Sequence, residues 1–178
     1  MTHVCRIEAR EDFDVDMTVP VRVLDAQMVQ FLSQIETMYL VNLHFLEDLE
    51  DRIDQIWDAA NTTIGDVFLD YVTQFRVYAD YARNFDYAMD QCRESQELRE
   101  YIKQCEKSPL CEGQSFSSFA ILPIQRLPRY GLLLRNLLKE TAADHPDHGP
   151  LAEALKGTGE TIEYIESVME RNEASQDC

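Results

Sequence analysis

The stretch that decides the fold of this chain is Ile121-Leu-Pro-Ile-Gln-Arg-Leu-Pro-Arg-Tyr130-Gly-Leu-Leu-Leu-Arg-Asn-Leu-Leu-Lys139. At about 100° per residue, its second half is predicted to form an amphipathic helix. One side is an apolar arc with a guanidinium at its edge, and it consists of Arg126, Tyr130, Leu133, Leu134, Leu137 and Leu138. The opposite side is polar and carries Gln125, Arg129, Arg135, Asn136 and Lys139.

Leu132 lies in the middle of the polar side of this helix, where solubility alone would not place a leucine. The chain has a formal net charge of −17, so a leucine ringed by cations and amides is unusual in it. This arrangement indicates a contact surface for another protein. The alternative is a solvated helix face with one stray leucine, since singly exposed leucines are common. Periodicity alone does not decide between them.

The residues themselves resemble a known family, the Dbl-homology domain. Three segments carry the resemblance: residues 123–141 resemble its third conserved region, residues 64–69 with 78–84 resemble its second conserved region and the following helix, and residues 39–49 resemble the helix just before. The resemblance covers about Val21 to Glu173. It implies a catalytic module of guanine nucleotide exchange factors, which remodels the switch regions of a Rho-family small GTPase so that GDP is released.

The periodicity of the whole chain predicts an all-α protein, an elongated multi-helix bundle like the Dbl-homology domain. The predicted segments are a flexible acidic arm at 1–20, the helical domain at 21–173 and a tail at 174–178. The first predicted helix begins after an N-cap at Asp25, and the pattern restarts after residues 59–65 and continues to about 92. A short helix is predicted over 96–105. Another begins near 115 with a kink at the prolines, and a last helix runs over about 151–171. Residues 144–150 are predicted to form a loop.

Composition excludes several other functions. With 16 Lys and Arg against 33 Asp and Glu, binding to nucleic acid or to an anionic membrane is disfavoured. The five cysteines are odd in number and lack Cys-x-x-Cys spacing. No apolar run is long enough for a signal peptide or a membrane span. We therefore expect a cytoplasmic protein. His145-x-x-His148 lies in a Pro- and Gly-rich loop that fixes no ligand geometry, so we expect neither a metal nor a cofactor.

The resemblance implies roles for particular residues. Gln125 and Arg129 match positions that contact the GTPase near switch II, and Gln114 matches a position that selects among GTPases. Arg126 lies on the apolar arc and is expected to support the helix. The predicted GTPase-binding residues are Gln114, Gln125, Arg129, Leu132, Asn136 and Glu166. No nucleophile–base pair stands out, so we predict that the chain is not an enzyme and that any nucleotide exchange is non-covalent.

The chain departs from the family pattern at two points. Residues 1–20 do not resemble the first conserved region, whose helix carries a glutamate for switch I, and Glu166 stands where the family usually has an asparagine. The missing helix packs along the signature helix in the family, so its loss should expose several hundred Å² of apolar surface at about 25 cal/mol per Å². We therefore expect an incomplete domain, or a strip covered by the N-terminal arm or by self-association.

Three functions remain open from the sequence. The first is an exchange module for a Rho-family GTPase. The second is a degenerate domain that binds a protein partner without releasing nucleotide. The third is a purely structural helical bundle that keeps the signature for folding reasons. Release of a fluorescent nucleotide from Rho-type GTPases distinguishes the first from the other two.

Overall fold

A computed structural model describes residues 24–55 and 58–176 of the 178-residue chain. The helices are α1 (Ala26–Gln55), α2 (Gly65–Val72), α3 (Val77–Glu94), α4 (Gln96–Cys105), α5 (Phe116–Ala120), α6 (Leu122–Glu140) and α7 (His148–Gln176), with single 3-10 turns at Gln74–Arg76 and Pro109–Cys111. No strand occurs in these two ranges, which confirms the all-α prediction. The predicted arm at 1–20 lies outside the described residues, and the domain boundaries stay predictions.

The first helix begins where the sequence predicts. The backbone N–H of Met28 donates to Asp25 Oδ1 at 2.8 Å, so Asp25 satisfies one of the free donors of the first turn. Phe31, Met38 and Phe45 follow Met28 at intervals of three, seven and seven residues, and all four are buried. This face of α1 packs against α3 and α2.

The second helix is capped by a residue from a distant part of the chain. Its own N-cap residue, Ile64, offers no side-chain hydrogen bond. Instead, Asp147 Oδ2 accepts from Ile64 N at 3.0 Å and Asp147 Oδ1 accepts from Gly65 N at 2.8 Å. A Cβ at Gly65 would lie 2.5 Å from Leu151 N, so only glycine permits the close approach of α7 to α2.

The loop before α7 is shorter than predicted. It ends at Asp147, and His148, Gly149 and Pro150 form the first turn of α7. A proline is tolerated in a first turn because its missing N–H has no partner to lose there. His145 is a structural link: its Nδ1 accepts from Asp147 N at 3.1 Å, so its Nε2–H can donate to Ala59 O at 3.1 Å.

An aromatic cluster joins the helices at the centre of the bundle. The ring centroid of Phe45 lies 4.8 Å from that of Phe68, 5.1 Å from Tyr71, 5.5 Å from Phe75 and 5.6 Å from Tyr130. Most of these pairs are edge-to-face, an arrangement that stabilises by about 0.5–1.5 kcal/mol beyond area burial. Because Tyr130 belongs to this cluster, α6 is fixed to the core through its middle turn.

The signature stretch forms two helices where the sequence predicts one kinked helix. Ser115 caps α5 by accepting from Ser118 N at 3.2 Å, and Ile121 separates α5 from α6. Pro123 has no N–H to donate to Phe119 O, which explains the interruption at this point. Pro128 lies inside α6, which nevertheless continues.

None of the helices in the described ranges is long and apolar enough to span a membrane. Those same ranges hold no group of three or more His, Cys, Asp and Glu residues that could coordinate a metal ion.

Candidate protein-interaction site

Four of the predicted site residues lie together on one exposed surface of α6. Gln125, Arg129, Leu132 and Asn136 follow one another at intervals of four, three and four residues, and all are exposed. Leu132 is 55% exposed. We call these four residues the α6 face. It contains an amide at each end, a guanidinium and one aliphatic side chain, so it can donate and accept hydrogen bonds around an apolar contact.

The opposite side of α6 is buried, and this orients the α6 face outward. Leu127, Gly131 and Leu134 are buried, with Leu134 only 1% exposed. A Cβ at Gly131 would lie 3.7 Å from Ile162 Cδ1, so α7 packs directly on this side. Rotation of α6 would expose these residues, and the α6 face is therefore fixed by the core.

The charge on the α6 face is available to a partner. Across residues 24–55 and 58–171, no carboxylate lies within 4.0 Å of the Arg129 guanidinium. Arg135 and Lys139 are also exposed on α6. A basic helix surface on a chain of net charge −17 favours a partner with acidic or mixed-charge contacts.

A polar network at the groove between α1 and α6 anchors α6, and we call it the Asn42 network. Tyr130 O–H donates to Asn42 Oδ1 at 2.9 Å, and Asn42 Nδ2 donates to Tyr78 Oη at 2.7 Å. Burial raises the pKa of Tyr78 to about 12. Burial also raises the pKa of Tyr130, against an opposing effect of the Arg126 guanidinium. Both phenols are therefore neutral at physiological pH, and the network carries no charge.

Arg126 contacts the outer side of this network. Its guanidinium carbon lies 5.8 Å from the centroid of the Tyr130 ring, within the range of a cation–π interaction. This position agrees with the supporting role expected from the sequence.

The other two predicted site residues lie beyond α6. Glu166 is exposed on α7, one turn after Ile162. Because α6 and α7 are joined by a short connection and pack side by side, they run antiparallel, and Glu166 lies alongside the first half of α6. Gln114 is exposed in the turn before α5, just ahead of the α6 face. The structure thus places all six residues on the surface, and their roles stay predictions.

Part of the predicted apolar arc is exposed. Leu133 is 60% exposed, and it lines a groove of about 620 Å³ with Leu122 from α6 and Ile35, Tyr39 and Leu46 from α1. We call these five residues the apolar strip. No segment in the described ranges covers it. The expected absence of the family's first helix concerns residues outside those ranges and stays a prediction.

We expect the chain to bind an apolar dye through the apolar strip. Self-association, one of the alternatives that the sequence leaves open, would bury the same surface. Leu46→Gln with Leu133→Gln should lower dye fluorescence and shift the mass measured by light scattering toward the monomer. Leu110→Gln is the matched control, because Leu110 is 74% exposed elsewhere. A wild-type monomer without dye binding would contradict this expectation.

Sequence reasoning did not identify the Asn42 network as part of the site. The signal was nevertheless visible, because Asn42 interrupts a run of apolar residues on the buried side of α1. An amide on such a face requires hydrogen-bonding partners. The sequence does not tell which tyrosines supply them.

Comparison with known proteins identifies the class of this helical module. The sequence profile of the RhoGEF domain matches residues 10–166. The chain belongs to the RhoGEF domain family. The match begins inside the segment that we predicted to be an arm, and the arm boundary stays a prediction.

Relatives in sequence are much longer proteins. The chain is 37% identical over 139 residues to guanine exchange factor for Rac 30 of Dictyostelium discoideum, which covers 78% of this chain and 8% of the relative. It is 30% identical over 174 residues to the myosin-M heavy chain of the same organism, covering 89% of this chain and 10% of the relative. The chain therefore spans about a tenth of the length of these relatives.

Solved structures share the fold. The DH domain of FARP2 superposes with a TM-score of 0.71 at 24% identity and covers 89% of this chain and 79% of that chain. The DH/PH fragment of PDZ-RhoGEF, solved in complex with human RhoA, gives a TM-score of 0.75 at 17% identity and covers 86% of this chain and 46% of that chain.

The prediction that the chain is not an enzyme is wrong. RhoGEF domains as a family catalyse nucleotide exchange on Rho GTPases, so the family of this chain is a class of exchange catalysts. The prediction rested on the missing nucleophile–base pair. Exchange catalysis breaks no covalent bond and requires no such pair.

Proposed function

We propose that this chain binds a Rho-family small GTPase through the α6 face and accelerates the release of its bound GDP. The observation that carries the proposal is the outward orientation of Gln125, Arg129, Leu132 and Asn136 on a helix whose other side is locked into the core. The family membership of the chain and the RhoA complex of a relative with the same fold support a Rho-type partner.

The mechanism follows from linkage between two ligands of the GTPase. If the chain binds the nucleotide-free GTPase more tightly than the GDP-bound form, reciprocity requires that it weaken GDP binding by the same factor. The switch regions of a GTPase are ordered by contacts to Mg²⁺ and phosphate, and they are bistable. A rigid helical surface can therefore hold them in an arrangement that releases the nucleotide.

The chemistry of the α6 face suits this task. Arg129 supplies a charge with five donors in a planar fork, and the amides of Gln125 and Asn136 supply both donors and acceptors. Leu132 offers an apolar contact at the centre, the position where interface contacts contribute most. Fixing these groups in advance reduces the entropy cost of binding.

The experiment that tests the proposal measures fluorescent-nucleotide release from a panel of Rho-type GTPases, with and without the chain. The expected result is accelerated release from at least one member. A second assay measures binding to the nucleotide-free GTPase. Binding without acceleration would favour a non-catalytic protein-binding module. Glu166 supports this second function, because a carboxylate at that position cannot donate a hydrogen bond. If the chain neither binds any of these GTPases nor accelerates nucleotide release, the proposal is overturned.

Replacing the carboxylate at this position should improve exchange. Glu166→Asn restores the amide donor that the family usually has, and we expect the release rate to rise by a factor of about 5–10, equivalent to a hydrogen bond of about 1–1.5 kcal/mol. Glu166 is exposed, so the melting temperature should not change. Glu170→Asn, one turn further along α7 and also exposed, is the matched control. If the release rate with Glu166→Asn equals the wild-type rate, Glu166 is not a contact residue of the site.

A further inference from the structure

The side chain of Asn42 is half-buried at the groove between α1 and α6, and it is fully hydrogen-bonded there. Its Nδ2 donates to Met38 O at 2.6 Å and to Tyr78 Oη at 2.7 Å, and its Oδ1 accepts from Tyr130 O–H at 2.9 Å. Both amide hydrogens and the carbonyl oxygen therefore have partners, which fixes the orientation of the amide. Three helices meet at this one group, since Asn42 belongs to α1, Tyr78 to α3 and Tyr130 to α6.

Because the tyrosine rings of this network lie in apolar packing, its hydrogen bonds constrain the position of α6 in distance and direction. Tyr78 is 3% exposed, and the Tyr130 ring lies against Phe45 and Phe75 with centroids 5.6 Å away in both cases. Apolar packing around the ring is non-directional and tolerates small shifts of α6 along its axis. The Tyr130 hydroxyl does not tolerate them, because a hydrogen bond weakens steeply with distance and angle.

Tyr130 is well placed to set the position of the α6 face. It follows Arg129 directly and precedes Leu132 by two residues, and it points to the opposite side of the helix. A one-residue slip of a helix moves each side chain by about 1.5 Å along the axis and about 100° around it. Even a fraction of this movement at Tyr130 would displace the α6 face relative to α7 and Glu166.

We propose that Asn42 and Tyr130 are positioning residues for nucleotide exchange. Their hydrogen bond sets the axial and rotational position of α6, so that the α6 face engages the GTPase in the arrangement that releases nucleotide. Arg126, over the outer side of the Tyr130 ring, holds that ring against the network. This inference rests on the proposed function and names residues that do not touch the partner.

The test compares two tyrosines that differ in what they anchor. Tyr130→Phe removes only the hydroxyl and keeps the ring in the aromatic cluster. Tyr71→Phe is the matched control: Tyr71 is buried in the same cluster, and its O–H donates to Asp48 Oδ2 at 2.6 Å, a bond between α2 and α1 that does not involve α6. Both variants lose one hydroxyl, so a merely structural effect should appear in both.

We expect Tyr130→Phe to lower the maximal rate of fluorescent-nucleotide release about tenfold or more, because a misplacement of about 1 Å can cost about 100-fold in catalysis. The chain concentration for half-maximal effect should change much less, because the α6 face is intact. Tyr71→Phe should leave both quantities at the wild-type values. Equal rates for Tyr130→Phe and wild type, or equal losses in the two variants, would overturn the inference.

A second variant tests whether the two residues act as a pair. Asn42→Leu removes the amide from the other end of the bond. If one hydrogen bond carries the effect, the double variant with Tyr130→Phe is no slower than Asn42→Leu alone. Additive losses would overturn the pairing. If the wild-type chain accelerates release from no GTPase, both the proposed function and this inference are overturned. If the wild type is active and Tyr130→Phe is equally active, only this inference is overturned.

Discussion

Arg129→Glu is expected to reduce nucleotide release to nearly the rate of the GTPase alone. The substitution replaces five donors by an acceptor and reverses the charge at the centre of the α6 face. Loss of a charged hydrogen-bonded contact in an interface costs about 2–5 kcal/mol, which is about 30-fold or more in rate. The measurement is the release rate of a fluorescent GDP analogue at a fixed concentration of the chain, below the concentration that gives the half-maximal effect of the wild type.

Folding should be unaffected by this change. Arg129 is exposed and has no carboxylate within 4.0 Å in the described part of the chain, so the melting temperature should stay within about 1 °C. Arg93→Glu is the matched control. Arg93 is an exposed arginine on α3 that forms an i,i+3 ion pair with Asp90 at 2.7 Å, and a surface pair of this kind contributes little. If Arg129→Glu and Arg93→Glu retain the same exchange rate, Arg129 is not a contact residue.

Gly65→Ala is expected to have the largest effect on stability. The added Cβ would lie 2.5 Å from Leu151 N, 2.6 Å from Pro150 C and 2.9 Å from Asp147 Oδ1. Two of these three atoms are backbone, so α2 and α7 must move apart, and the hydrogen bonds that Asp147 accepts from the start of α2 are strained in the process. Overpacking together with a lost cap should lower the free energy of unfolding by about 3–5 kcal/mol.

Gly159→Ala on α7 is the matched control for this prediction. A Cβ there meets no atom within 4 Å, and alanine is the better helix former, so this variant should gain about 0.5–1 kcal/mol. Urea unfolding followed by circular dichroism measures both changes. A loss below about 1 kcal/mol for Gly65→Ala would contradict the close packing of α2 on α7.

Local signals in the sequence were sufficient for several helix boundaries. The fourth helix spans Gln96–Cys105 as predicted. Ser95 caps it by accepting from Leu98 N at 3.2 Å, and Pro109 follows a few residues after its end. These signals depend on residues within one turn of the boundary, so they can be read without knowledge of the tertiary structure.

Boundaries that depend on distant contacts were not predicted. The start of α2 is held by Asp147, more than eighty residues away, and no local pattern announces that pair. The start of α7 was placed too late because residues 148–150 read as loop formers, although a first helical turn accepts them. In the signature stretch, Pro123 interrupts the helix and Pro128 does not, and helix periodicity does not predict this difference.

Periodicity also fails to tell which apolar residues are covered. Leu133 and Leu134 lie in the same predicted arc, yet Leu133 is 60% exposed and Leu134 is 1% exposed. An apolar arc shows which residues share a side of the helix, but the neighbouring elements decide what is buried. The α6 face was predicted correctly as a surface, whereas the roles of its residues come from the resemblance and stay predictions. The Asn42 network joins three helices, and its tyrosine partners could be identified only in the folded chain.

Methyl NMR of the leucine side chains provides the most direct test of the central claim. The chain, with labelled leucine methyl groups, is mixed with a nucleotide-free Rho-family GTPase that it binds. Leu132 on the α6 face and Leu40 on α1 are 55% and 45% exposed, so both report on contact. The account predicts that the Leu132 signals shift or broaden on complex formation while those of Leu40 do not change. A complex that forms with the Leu132 signals unchanged would contradict it.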